Sequence, residues 1–269
     1  VPELPEVETV ARQLHAVLPG RRLVGLQVLD EGLAHLRGDF SRVREARFGA
    51  VRRVGKQVAM SLDIAGSGRH WLLVHLRMTG RLLLLESGAA TPAYTRCRLE
   101  LDAGALCFAD SRRFGTVVVA SGENPPPPPG LDPLDALCTP RRLLEMGANS
   151  RPPIKAWLLD QHRLCGLGNI YACEILHAAA LSPRRPAQSL LPADWKRLHG
   201  DMVRILGKAI ALCGTTFSDF QDSRGVEGSF GKLLRVYRRQ GLACHRCGGT
   251  IQRESQSQRG TYWCPDCQH

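Results

Sequence analysis

An α+β fold of several domains follows from three features of the 269-residue sequence. Apolar residues recur at helical spacing near the N-terminus, and short apolar or alternating runs fill the stretch up to about Ala120. After five consecutive prolines the helical period returns, and the chain ends in two Cys-x2-Cys pairs. With 43% hydrophobic residues it can bury substantial cores.

The first element is an amphipathic helix from Pro5 to Leu18. Val7, Val10, Ala11, Leu14, Val17 and Leu18 share one face, and Pro19-Gly20 stops it. Proline suits a first helical turn, while Glu3, Glu6 and Glu8 suit the positive end of the helix dipole.

From Leu23 onward the runs LVGLQVL, VRRVGKQVAMSL, HWLLVHLRM, RLLLL, RCRLELD, ALCFA and TVVVA are separated by Gly, Ser, Asp and Pro. Repeated short strands of this kind predict a sandwich or a barrel. Two connections carry side chains able to enter a base stack. In Ala109–Gly115 (ADSRRFG), read as a tight hairpin tip, Arg112 and Arg113 can place one guanidinium on a phosphate and slide the other, with Phe114, between bases. Met78, in His75–Gly80 (HLRMTG), is a comparable apolar wedge; ordinary turn and core roles would also account for these residues.

The segment SGENPPPPPGLDPLDA (121–136) excludes helix and sheet and makes an extended connector, the best domain boundary in the chain. Beyond it CTPRRLLEMG, PPIKAWLLDQ, NIYACEILHAAAL and ADWKRLHGDMVRILGKAIALCG read as helices, with Thr139, Asn169 and Asp194 near their N-termini as caps. The glycine-rich turn before Asn169 would expose backbone N–H groups able to hold a phosphate, although such turns are common without a ligand. A Gly- and Ser-rich loop, SDFQDSRGVEGSFG, follows the last helix.

Cys244-x2-Cys247 and Cys264-x2-Cys267, separated by 16 residues, have the spacing of a tetrahedral four-thiolate site for one structural zinc ion, closed to water. A module of fewer than about 40 residues needs such a staple because its core is too small. Arg246, Arg253 and Arg259 make this finger suited to nucleic acid. The other six cysteines are scattered through apolar or mixed surroundings, as reduced buried thiols would be.

The net charge of +11 is unevenly placed: 19 Lys and Arg face 10 Asp and Glu from residue 141 onward, against 17 and 15 before it. A polyanion such as nucleic acid would bind the second half through phosphates, unless the composition is simply Arg-rich. No apolar run approaches the roughly 18 residues of a membrane span, and glutamates stand where a signal peptide would be basic. The expectation is a cytoplasmic protein with no membrane partner.

Together, Pro2-Glu3-Leu4-Pro5-Glu6-Val7-Glu8-Thr9, Lys56 between two strands, His75–Gly80, Arg112-Arg113-Phe114-Gly115, Gly166-Leu-Gly-Asn169-Ile-Tyr-Ala and the four-cysteine finger resemble, in this order and over essentially the whole chain, the bacterial formamidopyrimidine-DNA glycosylase family. Leu4, Met78 and Phe114 look like the formamidopyrimidine branch; the endonuclease VIII branch typically has glycine at the position of Leu4. The resemblance implies an N-terminal catalytic β-sandwich (1–120), a Pro-rich linker (121–137), a helix-two-turn-helix domain with a lesion lid loop (138–232) and a zinc finger (233–269). Damaged double-stranded DNA would lie in the cleft between the halves, bound by a monomer associated with the nucleoid.

The resemblance further implies that the secondary amine of Pro2 is the nucleophile. An α-amine has a pKa of roughly 8, and the positive end of the adjoining helix favours its neutral form. Attack on the sugar C1′ would expel an oxidised purine, 8-oxoguanine or a formamidopyrimidine, leave a Schiff base and lead to β,δ-elimination. Glu3 would protonate the ring oxygen, with Glu6 as a supporting carboxylate. Lys56 would contact the lesion and its phosphate; Lys155, Asn169 and Arg259 would contact phosphates, Arg259 within the catalytic group. Met78, Arg112 and Phe114 would fill the space left by the extruded nucleotide, Arg113 would also bind DNA, and Ser223–Phe230 would be the lid. Ser111, where the family commonly has proline, predicts a looser hairpin. The alternatives are an oxidised-pyrimidine glycosylase of the endonuclease VIII type, or a non-catalytic zinc protein that binds lesions if Val1 is retained. With Val1 attached, Pro2 nitrogen is a tertiary amide without a free lone pair. The expectation is that Val1 is a GTG start codon read as methionine and removed, so that the functional chain begins at Pro2.

Overall fold

The computed structural model describes residues 2–30, 36–37, 43, 45–215, 223 and 228–269. Val1 and residues 224–227 of the expected lid therefore lie outside the described residues. The chain divides into two compact units, Val1–Pro127 with Leu212–Gly231, and Pro128–Ala211 with Lys232–His269.

The first unit begins with helix α1 (Leu4–His15). A capping box starts it: Glu3 is the N-cap, and Glu6 Oε2 accepts the Glu3 N–H at 2.8 Å. Val7, Val10, Ala11 and Leu14 are buried by the helical period, the two valines and Leu14 contributing about 1.5–3 kcal/mol each and Ala11 less. Val17 departs from the expected face: the helix ends before it, and it is 43% exposed.

Nine strands follow: β1 (Arg22–Val28), β2 (Leu36–Arg37), β3 (Ala46–Val54), β4 (Gln57–Ile64), β5 (Gly68–His75), β6 (Arg81–Leu85), β7 (Thr95–Leu101), β8 (Ala105–Ala109) and β9 (Thr116–Ser121). They make one sheet in the order β2-β9-β5-β4-β3-β1-β7-β8-β6. Leu72 and Val117 from one end of that order share a core with Leu82, Leu99 and Phe108 from the other. Strands about 4.8 Å apart could not meet in this way in a flat sheet, so the sheet doubles over into a sandwich. The bend falls at β1, which meets β3 only through Arg22 and Leu23 but runs along β7 from Leu23 to Val28. Among the described residues the ends β2 and β6 do not pair with each other, as they would in a closed barrel.

One expectation is corrected by this topology. Ala109–Gly115 is not a hairpin tip, because β8 pairs with β6 and β7 whereas β9 pairs with β2 and β5. It is a crossover between layers; alternating hydrophobicity marks two strands and a turn but not which partner each strand takes.

In the second unit, α2 (Pro140–Gly147) is capped by Thr139, whose hydroxyl oxygen accepts the Arg142 N–H at 3.1 Å. Helix α3 (Ile154–Leu159) and α4 (Asn169–Ala178) are joined by a double turn, and α5 (Pro192–Ala211) packs Trp195 edge-on against Trp157 at 5.0 Å. Gln161 fastens the double turn: its amide donates to the carbonyls of Leu159 and Leu167 and accepts the Gly166 N–H. Asn169 is the first helical residue rather than the cap, a position held by Gly168. Asp194 lies in the first turn of α5 and accepts the Leu191 N–H at 3.0 Å. A hairpin of β10 (Gln252–Gln256) and β11 (Arg259–Trp263) completes the unit. Among the described residues no helix is long and apolar enough to cross a membrane.

Candidate functional site

In the first unit the N-terminus of α1 is an enclosed polar site. Pro2 is buried, Glu3 is 4% exposed and Glu6 1%. Glu6 uses both oxygens: Oε2 takes the Glu3 N–H, and Oε1 takes the Thr215 N–H at 2.7 Å. Thr215 can come this close because Gly214 precedes it at φ +80°, where a Cβ would sit 2.7 Å from Glu6 Oε1. The carboxylate thus fixes the backbone beside Pro2 to the segment from which the expected lid departs. That segment is closed by the Thr215–Ser229 bridge.

The two expected wedge loops share one organiser, Asp110. It is 1% exposed and accepts hydrogen bonds from the Thr79 hydroxyl, from Arg112 N–H at 3.2 Å and from Gly115 N–H at 2.7 Å. Around it Met78 is 37% and Phe114 47% exposed, and the Arg112 guanidinium stacks over the Phe114 ring at 4.9 Å. The structure thus presents Met78, Arg112 and Phe114 on adjoining loops. Arg113 is turned elsewhere: its guanidinium grips Asp30 at 2.8 and 3.0 Å, and Asp30 also pairs with Arg96. It anchors the loop. Replacing Asp110 by alanine should destabilise the protein by about 2–4 kcal/mol, since it strands the Gly115 N–H and the Thr79 hydroxyl at a buried site and leaves the Arg112 N–H only Thr79 Oγ1 as acceptor. Urea unfolding checks this, and unchanged stability would contradict the organising role.

Lys56 occupies the two-residue turn between β3 and β4, half-buried, next to the Gln57–His75 register pair. His75 Nδ1 accepts the Arg77 N–H at 3.0 Å. Burial, then the charges of Arg77 and Lys56, push the imidazole down to about 4, so it is neutral at pH 7 with its proton on Nε2.

In the second unit Lys155, Asn169 and Arg259 converge on the β-hairpin turn. Asn169 Nδ2 donates to the Gly260 carbonyl at 2.8 Å. Lys155 is 1% exposed, and its ammonium donates to Thr261 Oγ1 at 2.8 Å and toward the Gly260 carbonyl at 3.4 Å. Lys155 and Asn169 therefore hold the hairpin, while Arg259 beside it is exposed.

The sulfurs of Cys244, Cys247, Cys264 and Cys267 all lie within 4.8 Å of one another, and all four thiols are free. The separations of 3.4 Å for Cys247–Cys264 and 3.9 Å for Cys244–Cys267 bracket the about 3.8 Å expected between thiolates in a tetrahedron of 2.3 Å zinc–sulfur bonds. The donor set fits one structural zinc ion.

Several supporting residues have no pattern in the sequence. Glu174 accepts the N–H groups of Arg235, Val236 and Tyr237 at 2.8–2.9 Å, where the chain enters the finger. Gln268 joins the Leu181 carbonyl to the Cys264 N–H. Asp110 and Gln161 serve their loops in the same way. Each is an ordinary polar residue whose role exists only once distant backbone reaches it.

Family models match three stretches of the chain: the formamidopyrimidine-DNA glycosylase N-terminal domain over residues 1–117, the formamidopyrimidine-DNA glycosylase H2TH domain over 130–221, and a zinc finger found in FPG and IleRS over 241–269. The formamidopyrimidine-DNA glycosylase of Chloroflexus aurantiacus is 39% identical over 275 residues, covering 100% of this chain and 98% of the relative. That of Moorella thermoacetica is 41% identical, covering 94% of each. Among solved structures, the MutM (Fpg) protein of Thermus thermophilus matches at 35% identity and a TM-score of 0.88, with 99% of this chain and 98% of that one covered. A Lactococcus lactis Fpg mutant in complex with DNA containing Fapy-dG matches at 30% identity and a TM-score of 0.85, with both chains fully covered at 100%.

Proposed function

Since the chain belongs to the formamidopyrimidine-DNA glycosylase family, a family of DNA glycosylases with abasic-site lyase activity, we propose that it excises 8-oxoguanine and formamidopyrimidines from duplex DNA through Pro2 and then cleaves the abasic strand. The observation that carries this reading is the buried Pro2-Glu3-Glu6 group at the start of α1. The neutral Pro2 amine attacks C1′, the bond from C1′ to the damaged base breaks, and the base leaves. Glu3 delivers a proton to the ring oxygen as the sugar opens, giving an iminium between Pro2 nitrogen and C1′. Loss of a C2′ proton then expels the 3′ phosphate, and a second elimination expels the 5′ phosphate.

Glu6 is not free to act as the acid, since both its oxygens accept backbone N–H groups; it aligns Glu3 and Thr215. Lys56 offers its ammonium to the lesion phosphate. Met78, Arg112 and Phe114 enter the stack where the nucleotide has left, with Arg112 facing the orphaned cytosine. Arg259 and the Asn169 helix start meet backbone phosphates, and Lys155 holds them in register. Cys244, Cys247, Cys264 and Cys267 would hold a zinc ion, which would give structure to the hairpin that carries Arg259. On this reading residues 1–120 form the catalytic domain, 121–137 the linker, 138–232 the helix-two-turn-helix domain with the lid and 233–269 the finger, and the protein works as a monomer on nucleoid DNA in the cytoplasm.

Paired duplexes test the substrate class. Base release from 8-oxoguanine opposite cytosine should exceed release from thymine glycol opposite adenine; the reverse order would assign the chain to oxidised pyrimidines.

A further inference from the structure

Helix α4 turns Cys173 and His177, four residues and about one turn apart, toward the cysteine cluster. Cys173 packs in the same apolar cluster as Cys244 and Cys264. His177 is 4% exposed, and its Nε2 lies 3.3 Å from Cys244 Sγ. Among the described residues no other sulfur of the four faces a side-chain nitrogen; Cys244 also accepts the Arg246 N–H at 3.4 Å.

We propose that His177 is a positioning residue of the metal site, donating its Nε2–H to the Cys244 thiolate and thereby tying zinc retention to α4. This rests on the zinc assignment above. A zinc-bound thiolate has no proton and can only accept, so the contact requires the Nε2–H tautomer. At 3.3 Å from sulfur His177 is a hydrogen-bond donor to a ligand and not a ligand itself, and four thiolates already complete the tetrahedron.

The chemistry gives this contact weight. Four thiolates around a divalent ion leave a net charge of about −2, and each N–H directed at a sulfur offsets part of it. Partners of metal ligands typically change affinity by roughly 10- to 100-fold when removed. Helix α4 carries three attachments to the finger: Asn169 on Gly260, Glu174 on the entering backbone and His177 on Cys244. The Arg246 guanidinium adds a fourth, donating to the Ala178 carbonyl at 2.9 Å.

The test uses the full zinc-loaded chain with His177→Phe, which fills the space without a donor, and His177→Gln, which restores an N–H. Zinc affinity is read by competition with a chromophoric chelator, after metal analysis has established one zinc per parent chain. His177→Phe should bind zinc roughly 10- to 100-fold more weakly, with His177→Gln recovering part of the loss. In cobalt-substituted protein the thiolate-to-metal charge-transfer band should move to lower energy in His177→Phe and return toward the parent in His177→Gln. Zinc affinity within twofold of the parent and an unmoved band would overturn the proposal. Should His177→Phe fail to fold, nitrogen-15 spectra of the parent decide, since a His177 proton on Nδ1 instead of Nε2 overturns it equally. A parent that holds no zinc would overturn the metal assignment together with this inference.

Discussion

Protein that keeps Val1 ahead of Pro2 should still bind a lesion duplex yet lose base excision by on the order of 10⁴-fold or more relative to protein beginning at Pro2. The contrast is electronic. In an amide the nitrogen lone pair is delocalised into the carbonyl, so Pro2 would have neither a basic nor a nucleophilic nitrogen. Glu6 is committed to the Glu3 and Thr215 N–H groups, and Lys56 sits in the turn between β3 and β4. Single-turnover excision, run on two preparations whose N-termini are set by mass, measures the difference. Equal rates would remove Pro2 from the mechanism.

Cys264→Ser should release the zinc and weaken binding to damaged and undamaged duplexes alike, by about tenfold or more. Cys264 is wholly buried, and its N–H is held by Gln268. Structural zinc contributes on the order of 10–16 kcal/mol in finger-sized units, far more than so small a core can replace. With the metal gone, the β10–β11 hairpin loses its anchor at both cysteine knuckles. Lys155 and Asn169 would then grip a turn that no longer stays put, and Arg259 would lose its placement. Because phosphate contacts carry little sequence information, the loss should not favour one lesion. Metal content and gel-shift affinity together check this; one zinc per chain with unchanged affinity would contradict it.

Much of the fold was legible because its signals are local. The helical period of Val7, Val10, Ala11 and Leu14 marks α1, and alternating runs mark the strands of the sandwich. Two cysteine knuckles mark the finger without any structure. What stayed hidden is non-local. The crossover at Ala109–Gly115 looks like a hairpin because strand pairing is decided by partners far along the chain. Helical spacing likewise runs through Val17, but the helix has already ended at His15.

The site divides in the same way. Met78, Arg112 and Phe114 stand exposed on neighbouring loops, as their types suggest. Arg113 and Lys155, equally cationic in sequence, differ in placement: Arg113 pairs with Asp30 while staying 55% exposed, and Lys155 is buried against Thr261. The partners that position these two cations lie 83 and 106 residues away, so no local pattern announces them. Asp110, Glu174 and His177 were silent for the complementary reason: each is identified by what it accepts or donates in three dimensions.

Borohydride reduction during reaction with 8-oxoguanine duplex, followed by peptide mapping of the adduct by mass, tests the Pro2 mechanism most directly. A reduced cross-link on the N-terminal peptide, with the sugar carbon on the Pro2 nitrogen, is the predicted result. No adduct from protein verified to begin at Pro2, or an adduct on Lys56 or another lysine, would contradict it.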